Sequence, residues 1–131
     1  MTRAALGRQI SVLLADDDPR FRALVRGVLV EDGYAVVSEA GTSAEVLSAV
    51  GVEPPDVVVL DLVMDGAVGL STLDRLRAAH PGLPVVVISS LFDPVVEQQI
   101  LARGARYLEK VEGIEALEQA IDAVATVDRG R

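Results

Sequence analysis

Apolar residues along the chain fall into two kinds of run. Ile10–Ala15 (ISVLLA), Val57–Leu60 (VVVL) and Val85–Ser89 (VVVIS) are short, unbroken and rich in β-branched residues, the pattern of strands buried on both faces. Between them lie longer stretches with helical spacing. Phe21, Leu24, Val25, Val28 and Leu29 recur at i, i+3, i+4, i+7 and i+8, and Leu70, Leu73 and Leu76 repeat part of that pattern. Ile114, Leu117, Ile121 and Val124 mark a final amphipathic helix. Two shorter blocks, Ala35–Ser38 and Arg106–Leu108, read as further strands.

Turn chemistry punctuates these runs where the periodicity changes. Asp18-Pro19 and Asp93-Pro94 each place a capping carboxylate before a proline at the first helical position. Thr42-Ser43-Ala44-Glu45 has capping-box spacing ahead of a helix reaching about Val50, and Pro54-Pro55 closes that unit. Gly33 and Gly104 follow the last periodic residues of their helices, and His80-Pro81 stops another, which leaves His80 a helix-end residue. Five strands alternating with five helices predict an α/β fold, a doubly wound parallel sheet joined by right-handed crossovers with helices on both faces.

With 131 residues, half of them apolar, the chain makes one domain with one core. The organisation expected is a lead-in over 1–9, a domain over 10–127 and a tail over 128–131. Twenty acidic against twelve basic residues give a net charge of -8, which disfavours direct nucleic-acid binding or an anionic membrane surface. The absence of cysteine excludes a disulfide framework and Cys-ligated zinc. No apolar stretch approaches the ~20 residues of a membrane span and Met1 to Gly7 lacks a signal-peptide core, so the expectation is a soluble cytoplasmic protein. Lys110 is the only lysine; every other basic residue is arginine.

Open parallel sheets bind ligands outside the carboxyl ends of their strands. Four polar clusters lie at such ends: Asp16-Asp17 after the first strand, Asp61 after the third, Ser89 after the fourth and Lys110 after the fifth. Gathered carboxylates repel one another unless a cation neutralises them, and all-oxygen ligation suits a hard ion, Mg2+ first. A strand-end aspartate with a metal, a hydroxyl and an ammonium has the parts of phosphoryl transfer to a carboxylate. Asp61 is then the nucleophile, Ser89 and Lys110 bind phosphoryl oxygens, and Asp16 and Asp17 hold the metal.

These motifs, LLADDDP, VVVLDLVM, VVVISS and GARYLEK, resemble the receiver domain of two-component response regulators over about Ile10 to Val127. The resemblance implies a flavodoxin-like three-layer α/β/α fold of strand order 2-1-3-4-5. It also implies phosphorylation of Asp61 by a sensor histidine kinase, a phosphotransfer protein or a small phosphodonor. The metal would be held by Asp17 and Asp61, by Asp16 largely through water, and by the backbone carbonyl of Val63. Tyr107 matches the switch aromatic that turns inward as Ser89 moves toward the phosphate. The partners implied are a kinase and a downstream effector or DNA-binding output domain, with homodimerisation through helices four and five or one and five as an option.

The chain departs from the family pattern at several positions. Asp65 replaces a proline, Val68 an acidic residue, and Val111 the proline after the lysine, where a cis peptide bond is common. Val63 and Leu91, both apolar, stand where the family tunes dephosphorylation. Two other functions remain open: a receiver-like interaction module working without phosphate, and a Mg2+-dependent phosphohydrolase. The second is disfavoured because Val63 stands where such enzymes carry a second aspartate. Asp18 reads as a cap, and the charges of Arg22, Arg26, Glu115 and Glu118 as solvated helix faces.

Overall fold

A computed structural model of the protein describes residues 9–64 and 67–129. Five strands, β1 (Ser11–Ala15), β2 (Ala35–Ala40), β3 (Val57–Asp61), β4 (Val85–Ser89) and β5 (Arg106–Glu109), form one sheet of order 2-1-3-4-5. Every neighbouring pair is parallel. The connecting helices are α1 (Pro19–Glu31), α2 (Ser43–Val52), α3 (Leu70–Ala79) and α4 (Pro94–Ala102), and α5 (Ile114–Arg129) follows a single 3-10 turn at Lys110–Glu112. Among the described residues no helix is long and apolar enough to cross a membrane.

The period-two side-chain alternation sorts the strands into two cores. Val12, Leu14, Val57, Val59, Val86 and Ile88 face α1 and α5, where they meet Val25, Leu29, Leu117 and Ile121. Leu13, Val58, Leu60, Val85 and Val87 face the other layer, with Val46 and Val50 of α2, Leu73 and Leu76 of α3 and Ile100 of α4. All five positions of β3 and of β4 are buried, as their unbroken apolar runs require.

The caps form where the sequence places them. Asp18 accepts from the Arg20 N–H, and Asp93 accepts from the N–H groups of Val95 and Val96. Thr42 accepts from Glu45 N–H at 3.1 Å, while the Glu45 carboxylate reaches one residue further back than a capping box, to Gly41 N–H at 2.7 Å. Gly33 and Gly104 have positive φ and end α1 and α4 in a left-handed backbone conformation that other residues rarely adopt.

Several details differ from the periodicity. β2 continues past Ser38 to Ala40, and β3 and β5 each take one more residue, Asp61 and Glu109. Leu24 is largely exposed, so the buried seam of α1 is narrower than its apolar stripe. A two-residue hairpin, Val63–Met64 against Ala67–Val68, follows β3. Asp65 lies outside the described residues, as does the side chain of Val68. All peptide bonds among the described residues are trans, the one before Val111 included.

Candidate functional site

The 2-1-3-4-5 order puts the carboxyl ends of β1, β3 and β4 side by side, and the four polar clusters meet there. Asp61 closes β3 in register with Ile88, and Leu62 N–H donates to the Ile88 carbonyl at 2.7 Å, so the backbone at Asp61 is fixed against β4. Asp16 follows β1; its N–H donates to the Ala40 carbonyl at 3.0 Å, and its Oδ1 accepts from Asp18 N–H at 2.9 Å. Asp16 and Asp61 are buried and Asp17 is exposed. One carboxylate oxygen of each of the three lies within 4.8 Å of the others.

Lys110 reaches this cluster from the 3-10 turn after β5. Its ammonium is 2.7 Å from Asp16 Oδ2 and 3.8 Å from Asp61 Oδ1, and it lies over the Phe21 ring at 4.3 Å from the centroid. One ammonium does not balance three carboxylates. Asp61 shows the imbalance: its pKa is raised to about 6, first by burial and then by the negative charge of Asp16, against the opposing pull of Lys110 and the Val63 N–H. That N–H is 3.4 Å from Asp61 Oδ1, with Val63 itself exposed. Asp16 Oδ2 is fully buried and accepts no regular hydrogen bond among the described residues. Three carboxylates gathered around one ammonium, one of them with a fully buried oxygen whose ion-pair partner is Lys110, fit a divalent cation of the hard, oxygen-binding class.

Ser89 ends β4, buried, with its hydroxyl donating to the Leu91 carbonyl at 2.6 Å and accepting from Leu91 N–H at 3.1 Å. Tyr107 on β5 donates to the same Leu91 carbonyl at 2.9 Å while its ring packs against the core at the α4 side. Both hydroxyls therefore converge on one carbonyl in the loop before α4. Ser89 is directed at this loop and Lys110 at Asp16, so neither is directed at Asp61 first.

Two participants, Phe21 and Arg22, carry no separate signal in the sequence, and one contact away from the site also departs from the expected solvated charges. Phe21 belongs to the apolar stripe of α1, yet its ring also lies under Lys110. Arg22 is not a solvated charge: its guanidinium donates to the Asp16 carbonyl at 2.5 Å and pairs with Glu39 at 3.2 Å, and Arg26 pairs with the same carboxylate. The Glu118 carbonyl accepts from Tyr34, whose hydroxyl also donates to Asp122 at 2.7 Å, tying the start of β2 to α5. His80 caps the end of α3 through its backbone.

Comparison with known proteins agrees with this geometry. The family model described as response regulator receiver domain matches residues 12–122. The chain is 34% identical to the probable transcriptional regulatory protein TcrX of Mycobacterium tuberculosis, with 98% of this chain and 57% of the relative covered. It is 35% identical to a protein-glutamate methylesterase/protein-glutamine glutaminase of Hahella chejuensis over 73% of this chain and 28% of that protein. The receiver domain of NtrX from Brucella abortus superposes with a TM-score of 0.78 at 30% identity, covering 87% of this chain and 97% of that one. The chain thus spans only part of the length of these curated relatives, 57% in one and 28% in the other. Fold, clustered aspartates and matched residues lead to one conclusion: the chain belongs to the response regulator receiver domains of two-component systems.

Proposed function

We propose that Asp61 accepts a phosphoryl group and that its acyl phosphate switches the partner bound by this domain. The observation carrying the proposal is the meeting of Asp61, Asp16 and Asp17 with the only lysine at one end of the sheet. A carboxylate oxygen of Asp61 bonds to phosphorus as the donor's P–N or P–O bond breaks, and the leaving group departs with that electron pair and takes its proton from solvent. A sensor histidine kinase, a phosphotransfer protein or acetyl phosphate is the donor. Asp17, Asp61, Asp16 and the Val63 carbonyl hold Mg2+, which, when bound, neutralises the carboxylates and the charge of the transferring group. Lys110 pairs with one phosphoryl oxygen and the Ser89 hydroxyl donates to another.

The shared acceptor supplies a route from site to surface. Once Ser89 turns to the phosphoryl group, the Leu91 carbonyl loses one of its two hydroxyl donors, and the loop that it ties to Tyr107 is freed to rearrange. Leu91, Phe92, Val95 and Val111 lie exposed on this side and supply apolar area for a partner, a second copy or an output domain. The similarity to TcrX supports a transcription regulator as the whole protein; the net charge of -8 argues for any DNA contact lying outside this domain, and a cytoplasmic location goes with that reading. The output is binding, not turnover.

Intact-mass measurement after incubation with acetyl phosphate and Mg2+ tests the assignment. A gain of about 80 Da is expected in the wild type and is lost in Asp61→Ala and with chelator. No gain from either acetyl phosphate or a phosphorylated histidine kinase overturns it.

A further inference from the structure

We infer that Phe21 is a positioning residue for phosphoryl transfer: its ring holds the Lys110 ammonium at the site while that ammonium exchanges Asp16 for the phosphoryl group. The inference rests on the assignment of Asp61 and Lys110 made above. Lys110 sits 2.7 Å from Asp16 Oδ2, 3.8 Å from Asp61 Oδ1 and 4.3 Å from the Phe21 centroid. The two carboxylates are also the cation-holding groups, so the metal competes with Lys110 for both. The aromatic face does not bind Mg2+ in water, because a strongly hydrated ion keeps its oxygen shell, whereas an ammonium is attracted to the ring quadrupole. Phe21 is therefore the one contact among these that survives metal loading.

Its placement is built in. Phe21 stands in the first turn of α1, whose start is set by the Asp18 cap and Pro19, and it packs against the core shared by Ile88, Leu108 and Leu117. A flexible four-carbon side chain left without its carboxylate partner samples many rotamers, and each one away from the site lowers the transfer rate.

The single lysine makes the test direct, since protein labelled with 13C-lysine gives one lysine side-chain signal. Lys110 Hε resonances are expected upfield through the ring current of Phe21, both without metal and with saturating Mg2+. In Phe21→Leu, which keeps the apolar packing, the upfield shift is expected to vanish and acetyl phosphate labelling of Asp61 to slow about 3- to 30-fold, the range of a single cation–π contact. The Mg2+ dissociation constant by calorimetry should stay within about twofold, because a phenyl ring supplies no oxygen ligand to the ion, and Phe21→Tyr should restore both shift and rate. A shift that disappears in wild type on adding Mg2+, or a Phe21→Leu rate within about twofold of wild type, overturns the inference. A wild type that takes up no phosphate rejects the phosphoacceptor assignment and with it the transfer role of Phe21. The spectrum in Mg2+ then reports separately whether the ring holds the ammonium.

Discussion

At each end of the parallel sheet a cationic side chain sits among oxygen acceptors, and the two ends differ in how far the charges are matched. At the amino ends of β4 and β5, Arg77 of α3 donates Nε to the Arg103 carbonyl at 2.7 Å, Nη2 to the Gly104 carbonyl at 3.1 Å and Nη1 to the Leu83 carbonyl. Arg103, alongside, is paired with Asp74 at 2.6 Å and with the Gln99 carbonyl at 2.8 Å. A planar guanidinium there meets neutral carbonyls in its own geometry, which satisfies the end of α4 and the loop before β4. At the carboxyl ends, one ammonium faces three carboxylates, its 2.7 Å contact goes to Asp16 Oδ2, and Asp61 is pushed to a pKa of about 6. One end is a closed structural staple. The other is left short of positive charge, a deficit that a metal ion can fill and that must be filled before an anionic phosphoryl group is accommodated.

The sharpest way to separate the ends is to remove the staple. Arg77→Ala leaves three carbonyls without their donor and is expected to lower the unfolding free energy by about 2–4 kcal/mol in a denaturant titration. Arg77→Lys should recover only a minor part, since an ammonium cannot reproduce the fork. The labelling rate of the folded protein with acetyl phosphate should be unaffected by either change. A large loss of rate would show that the two ends are not independent.

Cation binding is the corresponding perturbation at the other end. A ligand present at 100 times its dissociation constant stabilises the native state by about 2.7 kcal/mol. Mg2+ at that excess should produce this gain in wild type and in Arg77→Ala alike, and a smaller one in Asp61→Asn, followed by thermal unfolding with and without chelator. Equal gains in Asp61→Asn and wild type would place the ion elsewhere.

Removing the Asp61 charge without metal reads the deficit itself. The folded pKa, about 6, stands above the ordinary aspartate value of 3.8, so ionisation of Asp61 opposes folding. Stability from this group rises as pH falls through 6 and is complete below about 4, where it is protonated folded and unfolded. Asp61→Asn should therefore stabilise the metal-free protein at pH 7 by about 1–2 kcal/mol, less than the full linkage because solvent reaches the mouth of the site. The advantage should fade between pH 6 and 4 in unfolding curves taken across that range. A constant advantage across that range would mean that burial and Asp16 do not strain Asp61.

The parts legible in the sequence are those where one residue type answers one local requirement. β1, β3 and β4 stand out because strands buried on both faces need continuous apolar runs, and the caps stand out because Asp-Pro meets the donor and φ requirements of a first turn together. The extents of β2 and β5 are not legible, because edge strands mix Glu39, Arg106 and Glu109 into the run and their length follows from pairing with β1 and β4. At the site, Asp16, Asp17, Asp61, Ser89 and Lys110 are legible from strand ends. The contacts that complete them are not. The Leu91 carbonyl has no side-chain identity, and Phe21 and Arg22 read as an apolar stripe and a solvated charge until the fold brings them to Lys110 and Asp16.

The smallest effect expected concerns how long the acyl phosphate proposed at Asp61 would last. Loss of the acyl phosphate requires a water in line with the phosphorus, and a polar side chain at the rim lowers the cost of holding that water. Val63 stands two residues past Asp61, exposed, and has no polar side-chain atom; Leu91, exposed in the loop before α4, adds a second apolar side chain. Val63→Asn changes only the first of these and leaves the Leu91 carbonyl, and so the Ser89 and Tyr107 contacts, untouched. Its phosphoryl half-life is expected to shorten by about three- to tenfold, at most about 1.4 kcal/mol of barrier, with the labelling rate little changed. Decay of the phosphorylated mass after donor removal measures it. An unchanged half-life would shift control of water from Val63 to the loop carrying Leu91, and with it the boundary between the chemical end of the sheet and its switching surface.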